Sequence, residues 1–102
     1  MEKFKKLGLS EELLKLLEKA NFSEPSEIQE KVIPLILGGK DVIGGSATGS
    51  GKTIAFGAGI IEKTNPGKGL QVLILVPTRE LAEQVGNVFT KFSGYRQLNV
   101  TT

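Results

Sequence analysis

Apolar residues recur along this chain in two rhythms, one helical and one continuous. Leu13, Leu14, Leu16 and Leu17 fall where a stripe runs down one side of a helix. Ser10 is a suitable N-cap, and Glu11 and Glu12 occupy a first turn in which the helix dipole favours carboxylates. The stripe predicts an end near Ala20 and Asn21. Phe22-Ser23-Glu24-Pro25 then reads as a turn, because Pro25 denies Glu24 the helical region. A second helix is expected from Ser26, with Ile28, Val32, Leu35 and Ile36 at helical spacing and Gly38-Gly39 as its stop. Pro34 lies inside it, lacks the N–H that would bond to the preceding turn, and is expected to kink or shorten it.

The second half of the chain alternates. Asp41–Ile43 reads as a short buried strand, and Ile54–Lys63 as a buried helix. After an Asn65–Gly69 loop, Leu70–Val76 is nearly continuous and apolar, the mark of a parallel strand covered on both faces. Pro77–Gln84 leads into another helix, with Leu81, Val85, Val88, Phe89 and Phe92 as its core stripe and Gly94 as its end. Phe56 is likewise assigned to core. Leu98–Thr102 reads as a further strand. This order predicts an α/β fold, part of a doubly wound parallel sheet, with a helical N-terminal lead-in. Ligands of such sheets bind beyond the carboxyl ends of the strands. The stretch after Ile43 and the stretch Pro77–Arg79 both follow such ends, so one face should carry the function.

Composition narrows the chemistry. With 102 residues the chain forms at most one small domain, and 39% apolar with 24% charged residues is an ordinary globular mix. A net charge of +2 is too small to argue for nucleic acid, and Lys3, Lys5 and Lys6 are expected to be a solvated end. The absence of cysteine and histidine rules out disulfides, thiolate metal sites, a cysteine nucleophile and the usual general base. Lysine, arginine, carboxylates, hydroxyls and a bound metal remain. No apolar run approaches the ~18 residues of a membrane span and no signal-peptide pattern opens the chain, so no membrane partner and a cytoplasmic location are expected.

One stretch has a definite chemistry: Ser46-Ala47-Thr48-Gly49-Ser50-Gly51-Lys52-Thr53. Gly49 and Gly51 let the backbone bring its N–H groups close to an anion. Strand, Gly-rich loop and helix N-terminus together make a phosphate cradle, in which Lys52 reaches the β- and γ-phosphates and the Thr53 hydroxyl ligates Mg²⁺. The strict G-x-x-x-x-G-K-[ST] spacing is broken, since Ser46 stands at the first glycine and Gly45 is one residue early. Ser26 and Gln29 fit an S-x-x-Q capping box, which accounts for both without a ligand. Taken on their own, Thr78 reads best as a simple helix cap and Arg79 as a solvated side chain.

Three segments in order resemble the first half of the amino-terminal domain of DEAD-box RNA helicases. Phe4, followed seventeen positions later by Asn21-Phe22-Ser23-Glu24-Pro25-Ser26-Glu27-Ile28-Gln29, is similar to an aromatic and G-F-x-x-P-T-x-I-Q, with Asn21 for glycine and Ser26 for threonine. Ser46–Thr53 is similar to A-x-T-G-x-G-K-T, and Pro77-Thr78-Arg79-Glu80-Leu81-Ala82 matches P-T-R-E-L-A. The resemblance covers essentially the whole chain. It implies a RecA-like P-loop NTPase fold, with residues 1–40 as an adenine-reading lead-in and 41–102 as a βαβαβ phosphate-loop segment. It implies ATP (or ADP) and Mg²⁺ as ligands. Gln29 would read the adenine edge, Ser26 would position it, and Phe4 and Phe22 would line the base; with Phe4 and Pro25 at the family spacing, this is preferred over the capping box alone. Ser46–Thr53 would hold the phosphates. Pro77, Thr78 and Arg79 would face the RNA sugar-phosphate backbone without reading sequence.

The resemblance also implies what these residues lack. The acidic D-E-A-D strand, the family's later S-A-T segment (a motif separate from Ser46-Ala47-Thr48) and a second domain with arginine fingers are not among them, and Asp41 is the sole aspartate. The expectation is therefore the ATP-binding portion of an RNA-dependent ATPase that unwinds short duplexes locally, with this stretch not hydrolysing alone. The competing expectation is a non-catalytic nucleotide-binding or interaction module that folds with a partner.

Overall fold

The computed structural model describes residues 1–42 and 50–102. Five helices are present among them: α1 (Glu2–Lys5), α2 (Glu11–Lys19), α3 (Glu27–Leu37), α4 (Ser50–Lys63) and α5 (Arg79–Ser93), followed by a 3-10 turn at Gly94–Arg96. None of these helices is long and apolar enough to cross a membrane.

The helix starts follow from local chemistry. Ser10, Ser26 and Thr78 are the N-caps of α2, α3 and α5, and each side chain accepts the backbone N–H three residues on, from Leu13, Gln29 and Leu81. The ends of α2 and α3 share one design. After α2, Asn21 N–H donates to the Glu18 carbonyl and Phe22 N–H to the Leu17 carbonyl. After α3, Gly39 N–H donates to Ile36 and Lys40 N–H to Leu35. Both are Schellman turns, which need a left-handed residue: Asn21 has φ 69° and Gly39 has φ 79°. Asparagine is the best tolerated replacement for glycine there, because its short polar side chain suits that conformation.

Two expectations about helices change. Phe4, set among the lysines expected to be a solvated end, lies on α1 and is fully buried in the core. Pro34 does not shorten α3, which continues through it to Leu37. It sits exposed in the last turn, where one missing bond is offset by the burial of Val32 and Ile33 just before it.

The core joins the lead-in to the later helices: Phe4, Leu9, Leu13, Leu14 and Leu17 pack with Ile33, Ile54, Ala58, Ile61 and Phe92. α3, α4 and α5 run in the same sense. A methyl group on Gly59 of α4 would lie 2.7 Å from Ile36 Cγ2 of α3, and one on Gly39, just past α3, would lie 3.4 Å from Lys63 Nζ. A methyl on Gly57 would meet Phe89 Cζ of α5 at 3.2 Å, and Arg96 bonds the Thr64 carbonyl. Later residues thus meet later residues, and the three N-termini point to one end.

The predicted sheet is not shown: no strand forms among the described residues. Asp41 and Val42 are irregular, and Ile43 lies outside the described residues. Leu70–Val76 and Leu98–Thr102 have no ladder, because a strand exists only through backbone bonds to a neighbouring strand and these segments make none among the described residues. Exposure along the first segment nevertheless alternates. From Val72 on, Val72 and Val76 are half-buried and Ile74 is 42% exposed, while Leu73 and Leu75 are 74% and 84% exposed; Leu70, at the start, is 87% exposed and outside the alternation. The expected cover on both faces is missing from one.

Candidate phosphate and nucleic-acid site

The site is built on the shared end of the three parallel helices. Pairing Ile36 with Gly59 and Gly39 with Lys63 sets α3 and α4 in a register of twenty-three to twenty-four residues. Carried back along both helices at about 1.5 Å per residue, that register brings Gln29 level with Lys52 and Thr53. Phe89 with Gly57 and Arg96 with Thr64 share a separation of 32 residues, so α5 is aligned with α4 as well. The same projection puts Thr78 and Arg79 just beyond the first turn of α4.

Lys52 and Thr53 lie half-buried in that first turn, which contains no acidic residue. The partial positive charge of the helix end is therefore reinforced by the Lys52 ammonium and not cancelled by a neighbour. Backbone amides, an ammonium and a hydroxyl on one helix end are the donor set that phosphate oxygens require. Ser50 and Gly51 open α4. Ser46, Ala47, Thr48 and Gly49 lie outside the described residues.

Gln29 is 2% exposed, and the capping box is formed: Ser26 N–H donates to Gln29 Oε1 at 2.9 Å, and Gln29 N–H donates to Ser26 Oγ at 3.3 Å. The glutamine is thus held by its own helix start. Phe4 is enclosed, edge-on to Phe22 with ring centroids 6.5 Å apart, and Phe22 in turn meets Phe92 at 6.2 Å. Phe22 is half-buried. At the start of α5, Pro77, Thr78 and Arg79 are all exposed, and Thr78 Oγ1 caps the helix by accepting from Leu81 N–H at 3.1 Å.

The family model described as DEAD/DEAH box helicase matches residues 26–102. The chain belongs to this family. It is 46% identical over 101 residues to the DEAD-box ATP-dependent RNA helicase CshA of Geobacillus kaustophilus, covering 98% of this chain and 22% of that protein. It is 46% identical over 95 residues to the RNA helicase CrhR of Synechocystis, covering 93% of this chain and 19% of that one. Among solved structures, a DEAD box protein from Methanococcus jannaschii superimposes with a TM-score of 0.84 at 39% identity, over 89% of this chain and 25% of its own. S. cerevisiae Dbp5 bound to RNA and ADP BeF3 gives 0.84 at 37% identity, over 93% and 25%. The chain thus spans about a fifth of the length of these curated family members and a quarter of the structures.

Membership in the family explains why glycine is expected at Asn21, where φ is 69°. It does not account for a polar cluster that the sequence does not announce: Ser10, Glu62, Tyr95 and Arg96, joined with the Thr64 carbonyl. Its members are separated by 52 and 32 residues, too far for any local spacing rule to connect. Burial of Tyr95 raises its phenol above the ordinary value, although the neighbouring Ser10 works against this.

Proposed function

We propose that the chain is the N-terminal portion of a RecA-like ATP-binding domain in an RNA helicase, coupling ATP binding and hydrolysis to RNA binding and local duplex unwinding. The observation that supports this is the parallel register of α3, α4 and α5, from which Gln29 projects to the level of Lys52 and Thr53, with Thr78 and Arg79 toward the same end. Family membership and the named activities of CshA and CrhR support it.

In this reading residues 1–40 are the base-side lead-in and 41–102 the phosphate-loop segment, with Leu70–Val76 as a strand of the completed sheet. Ser46–Thr53 cradle the phosphates, Lys52 contacts the β- and γ-phosphates, and the Thr53 hydroxyl faces Mg²⁺. Bound Mg²⁺ neutralises charge on the phosphate oxygens. Gln29, set by Ser26, faces the adenine edge, and Phe4 and Phe22 line the base. Pro77, Thr78 and Arg79 hold RNA phosphates, for which a helix N-terminus, a hydroxyl and a guanidinium are fitted, and carry little sequence information.

Holding a nucleotide and hydrolysing it draw on different groups. Turnover also needs acidic residues to position metal and water, and added positive charge worth about 10³–10⁵ in rate. No cluster of three or more candidate metal ligands occurs among the described residues. The 102-residue chain should therefore bind ATP without releasing phosphate above background. Purified chain is assayed with Mg²⁺ and RNA beside a Lys52→Ala control. Turnover that vanishes in the control would show that these residues suffice and that the reading is wrong.

A second reading rests on the bare face of Leu73 and Leu75, exposed by 74% and 84%. Such a face fits a nucleotide-binding or interaction module that is completed by a partner polypeptide.

A further inference from the structure

The last turn of α4 grips the opening of α2. Ser10 N–H donates to Glu62 Oε1 at 2.7 Å, in partly buried surroundings and across 52 residues of sequence. Ser10 is also the residue that caps α2 through its Oγ, so the carboxylate holds that helix at its first residue. Just beyond, the Arg96 guanidinium donates from Nε and Nη2 to the Thr64 carbonyl at 3.0 and 2.7 Å, fastening the end of α4 to the turn after α5. The Tyr95 hydroxyl is buried beside Ser10 and Glu62, without hydrogen-bond geometry to either.

This tie differs from the ion pairs Lys3–Glu24, Lys5–Glu11 and Lys31–Glu27, whose side chains are 61% or more exposed. Water screens those three, whereas a charge-assisted bond to a helix-capping amide is both stronger and directional. α2 runs from this cap to the turn that holds Phe22. At the far end Phe22 N–H is bonded to the Leu17 carbonyl, and the Phe22 ring rests edge-on to Phe4.

We propose that Glu62 is a positioning residue for the base end of the nucleotide site. By holding the cap of α2, it fixes the lead-in with Phe4 and Phe22 against the helix whose other end carries Lys52 and Thr53. The inference rests on the reading that this other end holds a nucleotide.

The test uses the intact protein, with ATP, GTP and inorganic tripolyphosphate titrated calorimetrically into wild type, Glu62→Ala, Glu62→Gln and Lys52→Ala. Loss of a charge-assisted bond predicts about a tenfold weaker ATP affinity for Glu62→Ala. The ATP-over-GTP ratio should shrink with it, while tripolyphosphate affinity stays within about twofold, a margin of ~0.4 kcal/mol. Glu62→Gln retains an oxygen to accept from Ser10 and should lose only about threefold. An unchanged ATP-over-GTP ratio in both Glu62 variants, or equal losses for ATP and tripolyphosphate, overturns the proposal. If Glu62→Ala does not fold, the ratio in Glu62→Gln decides alone. Lys52→Ala separates the two layers: if it leaves tripolyphosphate binding intact, the nucleotide reading itself fails.

Discussion

Replacing Gly59 by alanine tests the helix register on which the candidate site depends. The added methyl would lie 2.7 Å from Ile36 Cγ2, 2.9 Å from Ile36 Cβ and 3.5 Å from the Ile33 carbonyl oxygen. Carbon atoms prefer about 3.5–4.0 Å, so the overlap approaches 1 Å. Rotation of Ile36 does not relieve it, because a β-branched side chain is stiff and its Cβ is fixed to the α3 backbone. The helices must separate, at an overpacking cost of about 1–3 kcal/mol. Alanine recovers about 1 kcal/mol of helix propensity. Gly57 supplies the control on the same helix. A methyl there meets Phe89 Cζ at 3.2 Å, the far end of a half-buried ring that can shift by a few tenths of an ångström. Gly57→Ala should gain most of the propensity term. Subtracting one variant from the other cancels propensity and leaves the α3–α4 contact, a difference of about 1–3 kcal/mol, where each 1 kcal/mol corresponds to about 4–8 °C in melting temperature for a domain of this size. Thermal unfolding followed by circular dichroism measures it. If Gly59→Ala melts as high as Gly57→Ala, α3 does not approach α4 at that point, and the projection of Gln29 to the level of Lys52 loses its basis.

Other residues make shorter tests. Asn21→Ala should cost about 1–2 kcal/mol, because alanine resists the left-handed turn, while Asn21→Gly should be neutral or stabilising; equal costs in urea unfolding would contradict the Schellman assignment. Burial raises the Tyr95 phenol, so its contribution to stability is complete below the ordinary value of 10.0 and is lost as pH rises through the higher folded value. Tyr95→Phe should abolish that alkaline loss, and an unchanged profile would exclude Tyr95 as its source. Gln29→Ala should narrow the preference for ATP over GTP by about 1–3 kcal/mol; a lower melting temperature with intact preference would leave Gln29 as a capping residue only.

What could be read from the sequence is what depends on near neighbours. Ser10, Ser26 and Thr78 announce their helices because a cap bonds to an amide three residues away. The phosphate-loop, Gln29 and P-T-R-E segments are local patterns too, and residues 26–102 bring the chain into the family. Pairings between distant residues were not legible. Leu70–Val76 has the composition of a strand, but a strand needs a partner, and periodicity cannot show that one face is bare. The burial of Phe4 was not legible because Phe22, its partner, arrives a whole helix later. Pro34 was over-read, since the rule for helix interiors weakens in a last turn. Glu62 reaches Ser10 across 52 residues and follows no spacing rule.

The central claim is that one end of the α3–α4–α5 layer receives the nucleotide. Titration of ATP into isotope-labelled protein, followed by amide chemical shifts, addresses it most directly. Resonances of Gly51, Lys52 and Thr53 and the side-chain amide of Gln29 should move together, and added RNA should then move Thr78 and Arg79. Shifts gathered instead at the opposite end, around Gly39, Thr64 and Arg96, would contradict the account.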